Sequence, residues 1–127
     1  MGARQTEIEV VQNWYETVGE QDVEAALSLL AADVEWNEPD GFFVSGVYHS
    51  PDAVLENVLE PSAQEFETFA VQPDRFLNDG STVVALGSFR ATTHQGEQIE
   101  SPFAHVWEVD DGQIVRLTNY TDTALWQ

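Results

Sequence analysis

The stretch "FAHVWEVDDGQIVRLTNYTDT", residues 103–123, alternates with a period of two on either side of an Asp-Asp-Gly turn, as two strands of a hairpin do. Phe103, His105 and Trp107 share one face, while Ala104 and Val106 share the other. A face bracketed by two large aromatic rings packs into a core, and an imidazole there is costly unless something bonds it. His105 is therefore either a core histidine held by a backbone carbonyl or a buried tyrosine, or a donor or base on the wall of a pocket. In the second strand Leu117, Asn119 and Thr121 share one face, and Arg116, Thr118, Tyr120 and Asp122 the other.

Working outward, the same period marks strands at "DRFL" (74–77), "STVVALGSFRATT" (81–93) and "EQIESPFAHVWEV" (97–109), joined by "NDGS" and "HQGE". Before Pro73 the spacing is helical. Thr6 caps a first helix with Glu7 and Glu9 in its first turn, Ile8, Val11, Trp14 or Tyr15 and Val18 on its apolar side, and Gly19 at its end. Asp22 caps a second helix whose stripe is Val23, Ala26, Leu27 and Leu30, before Asp33 and an extended run through Trp36. An irregular segment (37–50) rich in rings leads to a third helix, capped by Ser50, opened by Pro51 and closed by Pro61. A further helical turn is expected at 62–73, with Phe66 and Phe69 on one side. Helices followed by a consecutive antiparallel sheet are an α+β layout, in which a curved sheet wraps the helices and encloses a pocket.

Composition sets outer bounds. At 127 residues the chain suits a single domain, 1–127, that buries roughly two-thirds of its unfolded surface. With no Cys there is neither disulfide nor thiolate chemistry, and no stretch approaches the roughly 18 apolar residues of a membrane span. Its 23 acidic residues face only four basic ones, Arg4, Arg75, Arg90 and Arg116, giving a net charge of −19. That excludes nucleic acid as a partner, because a phosphate backbone would find no basic patch. With 43% hydrophobic residues and four Trp, the chain reads as a folded domain with an acid-coated surface, suited to a very salty cytoplasm that screens self-repulsion. The three His stand in different contexts without metal-ligand spacing, and no phosphate loop, nucleophile elbow or dinucleotide fingerprint occurs, so neither metal nor cofactor is expected.

With "VEWNEPDG" (34–41), "VVALGSF" (83–89) and the final hairpin, the sequence resembles the ketosteroid-isomerase-related, polyketide-cyclase-like (SnoaL-like) branch of the nuclear-transport-factor-two-like superfamily. The resemblance implies a cone: N-terminal helices across a strongly curved antiparallel β-sheet around an apolar pocket, often as a homodimer packed through the sheet. It also implies a small hydrophobic partner of steroid, polyketide or terpenoid type, and either isomerase- or cyclase-type proton transfer beside a carbonyl or a non-catalytic binding or structural homodimer.

Four catalytic candidates follow. The resemblance turns His105 toward the cavity. In steroid isomerases an acid-Pro pair after the second helix supplies the proton-moving carboxylate, and Glu38-Pro39 is similar; a solvated loop acid is the alternative. In polyketide-cyclase-like members a catalytic Asp lies on the last strand, where spacing from the His gives Asn119, an amide able to hold an oxyanion but not to act as a base. Asp122 competes for that role, with an ion pair of Arg116 to Asp122 or to a neighbouring acid as the structural alternative. The steroid-isomerase Tyr of the first helix has Trp14 or Tyr15 near its place. Trp36, Phe43, Tyr48, Phe89, Phe103 and Trp107 are the expected ligand-binding wall.

Overall fold

The computed structural model describes residues 6–127, so Arg4 lies outside the described residues. The first helix, α1 (Glu7–Gly19), begins as its sequence requires: the Thr6 hydroxyl accepts from the Glu9 N–H while the Glu9 carboxylate accepts from Thr6, a reciprocal cap. It buries Val10, Val11, Trp14 and Tyr15. The second helix, α2 (Val23–Ser28), is shorter than its apolar stripe suggests, because Leu30 already belongs to strand β1 (Leu30–Glu38). Leu30 sits opposite Ile114 across a parallel pairing, and the Ile114 N–H donates to the Leu29 carbonyl at 2.8 Å. A sheet edge seeking a partner overrides helix propensity there.

The irregular segment contains a short strand, β2 (Gly46–Tyr48), antiparallel to β1. Three consecutive helical pieces follow: α3 (Pro51–Val54), a π-helical turn (Leu55–Leu59) and α4 (Glu60–Glu65). The expected continuation to Phe69 does not occur. Phe66 caps α4 in extended geometry, and Phe69 lies on β3 (Thr68–Asp79), which runs through Pro73 with a bulge between Pro73 and Arg75. As the outermost strand among the described residues, β3 has no second neighbour there to ask a ladder hydrogen bond of Pro73.

Then come β4 (Thr82–Thr92), β5 (Gln98–Asp110), β6 (Gln113–Thr121) and a closing 3₁₀ turn (Thr123–Trp126). The six strands stand in the order β2-β1-β6-β5-β4-β3. This architecture is α+β, with helices packed on one curved sheet, but the sheet is mixed rather than wholly antiparallel: β1 and β6 run parallel while the other pairs are antiparallel. Gly87 lies opposite the bulge of β3, and a Cβ there would come within 2.1 Å of the Gln72 carbonyl oxygen, so only glycine permits so close an approach. On β5 the buried residues are Ser101, Phe103, His105, Trp107 and Val109, in strict alternation, and this face meets α1. Among the described residues no helix is long and apolar enough to cross a membrane.

Candidate active site

His105 and Asn119 are direct cross-strand partners on β5 and β6, and both face inward, 6% and 2% exposed. Above His105 lies Tyr15 of α1, its ring parallel to the imidazole and its hydroxyl 2.6 Å from Nδ1. Beneath it Phe103 stacks at 3.9 Å between centroids. The indole N–H of Trp107 donates to the Tyr15 oxygen at 3.1 Å. An indole can only donate, so the Tyr15 oxygen accepts from it, and its own hydrogen is free to be donated to His105 Nδ1. Burial drives His105 down to about 3, with the Asn119 side chain pulling the other way, so the ring is neutral, and a hydrogen on Nε2 is the tautomer that lets Nδ1 accept from Tyr15 and faces Asn119. Burial likewise pushes the Tyr15 phenol above its ordinary range, with the Trp107 bond opposing, so the hydroxyl stays protonated.

Alternation along β1 puts Trp36 and Glu38 on one face. The Trp36 indole donates to Glu38 Oε2 at 2.7 Å, and the Asn119 amide donates to Glu38 Oε1 at 2.9 Å. Glu38 is half-buried and lines the cavity, and burial lifts its carboxyl to about 7 despite those two donors, which favour the anion. Asn119 Oδ1 is buried with no hydrogen bond of its own; given Nδ2 on Glu38, it is the acceptor left for the side of His105. Polar groups therefore run from Trp107 through Tyr15, His105 and Asn119 to Glu38 and Trp36. One member, Glu38, exchanges a proton near neutrality.

These groups border a cavity of about 370 Å³ between α1, the π turn and the sheet, walled by Trp14, Tyr15, Trp36, Phe42, Val58, Phe69, Phe89, His105 and Trp107 among others. Of the sequence candidates, His105, Glu38, Trp36, Phe89 and Trp107 reach it, and Asn119 touches it through Glu38. Asp122 does not: it is exposed, ahead of the closing 3₁₀ turn, because β6 ends at Thr121 on the alternation that turns Asn119 inward. Of the two partners open to Arg116, the neighbouring acid takes it: the guanidinium Nε donates to Glu35 at 2.7 Å.

Three expected wall residues are also displaced. Phe43 packs against Phe66, Phe69 and Trp126, leaving Phe42 as the cavity ring. The Tyr48 hydroxyl is turned to the Val44 and Ser45 carbonyls, and Phe103 forms the floor under His105 without reaching the cavity. Trp36 as a carboxylate donor was readable from its spacing to Glu38, whereas the choice of Tyr15 over Trp14 needed the rotation of α1 on the sheet.

The SnoaL-like domain matches residues 11–117. The chain belongs to the SnoaL-like family. Among solved structures, an NTF2-like protein from Burkholderia thailandensis is 32% identical to this SnoaL-like chain, with a TM-score of 0.92 over 96% of it and 95% of its own chain. An NTF2-like protein of unknown function from Burkholderia pseudomallei is 30% identical, with a TM-score of 0.85 over 93% and 92% of the two chains. TerC, co-crystallised with polyporic acid, is 26% identical, with a TM-score of 0.87 over 94% of each. No curated protein matches the chain.

Proposed function

We propose that this SnoaL-like chain binds a small hydrophobic, carbonyl-bearing molecule and moves a proton next to that carbonyl, as a cofactor-independent isomerase or cyclase. The observation that carries this reading is Glu38, a carboxyl lifted to about 7 and oriented by two donors at the edge of an aromatic cavity. A base whose pKa lies near the working pH combines an available lone pair with a useful driving force. Glu38 takes the proton from the carbon beside the carbonyl, the C–H electron pair becomes the enolate C=C bond as the carbonyl π pair moves onto oxygen, and as the carbonyl re-forms the same carboxyl returns the proton at another carbon of the conjugated system. His105 is neutral and bonded at Nδ1, so its part is to hold Asn119 and present an N–H rather than to act as the base. Asn119 and Trp36 position the carboxylate. That TerC was crystallised with polyporic acid supports a small-molecule occupant for the same fold.

The same reading takes the protein as a cytoplasmic homodimer whose acidic surface suits high salt. The deciding experiment follows solvent deuterium entering the α-position of a tetralone by NMR. Glu38→Gln should lower the exchange rate by about 10²–10⁴ while leaving binding intact. Equal, uncatalysed exchange in both proteins with binding retained would identify a non-catalytic ligand-binding protein instead.

A further inference from the structure

A second cavity, of about 500 Å³, adjoins the first, and Val18, Gln21, Leu59, Ser62 and Phe69 wall both. Two irregular pieces of backbone border this neck. On one side Gln21 adopts φ 60, a left-handed conformation uncommon outside glycine, and its exposed side chain borders both chambers. On the other the π turn (Leu55–Leu59) presents Val58 and Leu59, and the Ser62 hydroxyl donates to the Val58 carbonyl at 2.6 Å. Single π turns inside helices are frequent at functional sites.

The charges of the walls are equally selective. Glu38 lines the inner chamber and Glu67 the outer, and among the described residues no arginine lines either. Arg90 and Arg116 are engaged by Glu100 and Glu35, and the chain contains no lysine. A carboxylate or phosphate entering these chambers would lose water and meet only like charge.

We propose that the two chambers form one site for an elongated, uncharged ligand. Its carbonyl-bearing ring system lies beside Glu38, and an apolar arm passes the neck into the outer chamber, with Gln21 setting which arms pass. This deepens the reading of Glu38 given above and rests on it only for the placement of the carbonyl.

The test is ligand binding read by quenching of Trp14, Trp36 and Trp107, which line the inner chamber. Three probes suffice: a tetralone, its hexyl-substituted congener, and the same arm ended by a carboxylate. The hexyl compound should bind at least tenfold more tightly than the parent, and the terminal carboxylate should cancel that gain. Ala63→Phe, at an exposed helix position lining only the outer chamber, should remove most of the gain without altering binding of the parent. Gln21→Gly should let a bulkier phenyl-bearing arm bind several-fold more tightly. Equal affinity for parent and hexyl compound, or equal losses for both in Ala63→Phe, would overturn the two-chamber site, and no gain in Gln21→Gly would remove Gln21 from it. An arm effect that survives while Glu38→Gln leaves deuterium exchange unchanged would overturn the Glu38 chemistry alone. Failure of all three probes to bind would overturn both.

Discussion

Two clusters on the inside of the sheet are built from large rings and differ in what those rings hold. Around His105, rings are interleaved with polar atoms: Tyr15 bonds both Trp107 and His105, and Glu38 bonds both Trp36 and Asn119, at 2.6–3.1 Å. Around Trp126, the rings of Phe42, Phe43, Phe66, Phe69 and Phe89 lie within 5.2–5.9 Å of its indole and carry no titratable group. The second cluster packs chiefly by apolar area and dispersion, and Phe42, Phe69 and Phe89 of it also wall the cavity. In the first, most of the buried polar atoms bond one another, and the ionisable group whose carboxyl burial lifts to about 7 is the one bordering the cavity. An aromatic wall thus becomes a candidate reactive site when a single strand position is given to a group that must be satisfied by others.

The sharpest way to separate the clusters is stability against pH. The folded pKa of Glu38, about 7, lies above its ordinary value of 4.5, so the proton it binds stabilises the fold fully below about pH 4.5, and this stabilisation is lost as the pH rises through about 7. Glu38→Gln removes that loss. Denaturant unfolding at pH 9 should find the variant more stable than the wild type, relative to their difference at pH 4.5, by on the order of 3 kcal/mol. Parallel curves would mean that Glu38 is solvated.

Trp126→Ala should be felt differently, costing about 2 kcal/mol at every pH in the same measurement, since its side chain is only half-buried and its neighbours are apolar. A pH-dependent loss would tie the two clusters together.

Tyr15→Phe should cost about 1–3 kcal/mol, because it leaves the Trp107 N–H and His105 Nδ1 without their shared hydroxyl. The informative readout is the nitrogen NMR spectrum of His105. In the wild type the ring should remain neutral with its hydrogen on Nε2 down to about pH 4, because its folded pKa is depressed to about 3. The stability that this neutral state contributes is present above about pH 6.5 and lost as the pH falls toward 3. A His105 that charges near pH 6.5 in the wild type would break the polar chain as described.

The smallest effect is expected on the outer face. Arg116→Ala should change stability by less than about 0.5 kcal/mol, since both members of its pair with Glu35 are substantially exposed, 57% and 37%, and the loss should shrink further in high salt. A larger cost would show that this face is covered.

What could be read in one dimension follows from local rules. The cap at Thr6, the Pro51 start, the hairpin turns and the alternation on β5 and β6 each depend on residues within a few positions of one another, so α1, three strands and the inward turn of His105 and Asn119 were legible. Glu38 could be nominated but not distinguished from 22 other acids, because burial and two donors from separate elements make it different. Tertiary structure decided three things: that α2 stops where β1 pairs with β6, that β3 begins before Pro73, and that Tyr15 rather than Trp14 caps His105. In each case the deciding contact joins residues far apart in the chain, and no local propensity carries the position of a partner that only packing brings near.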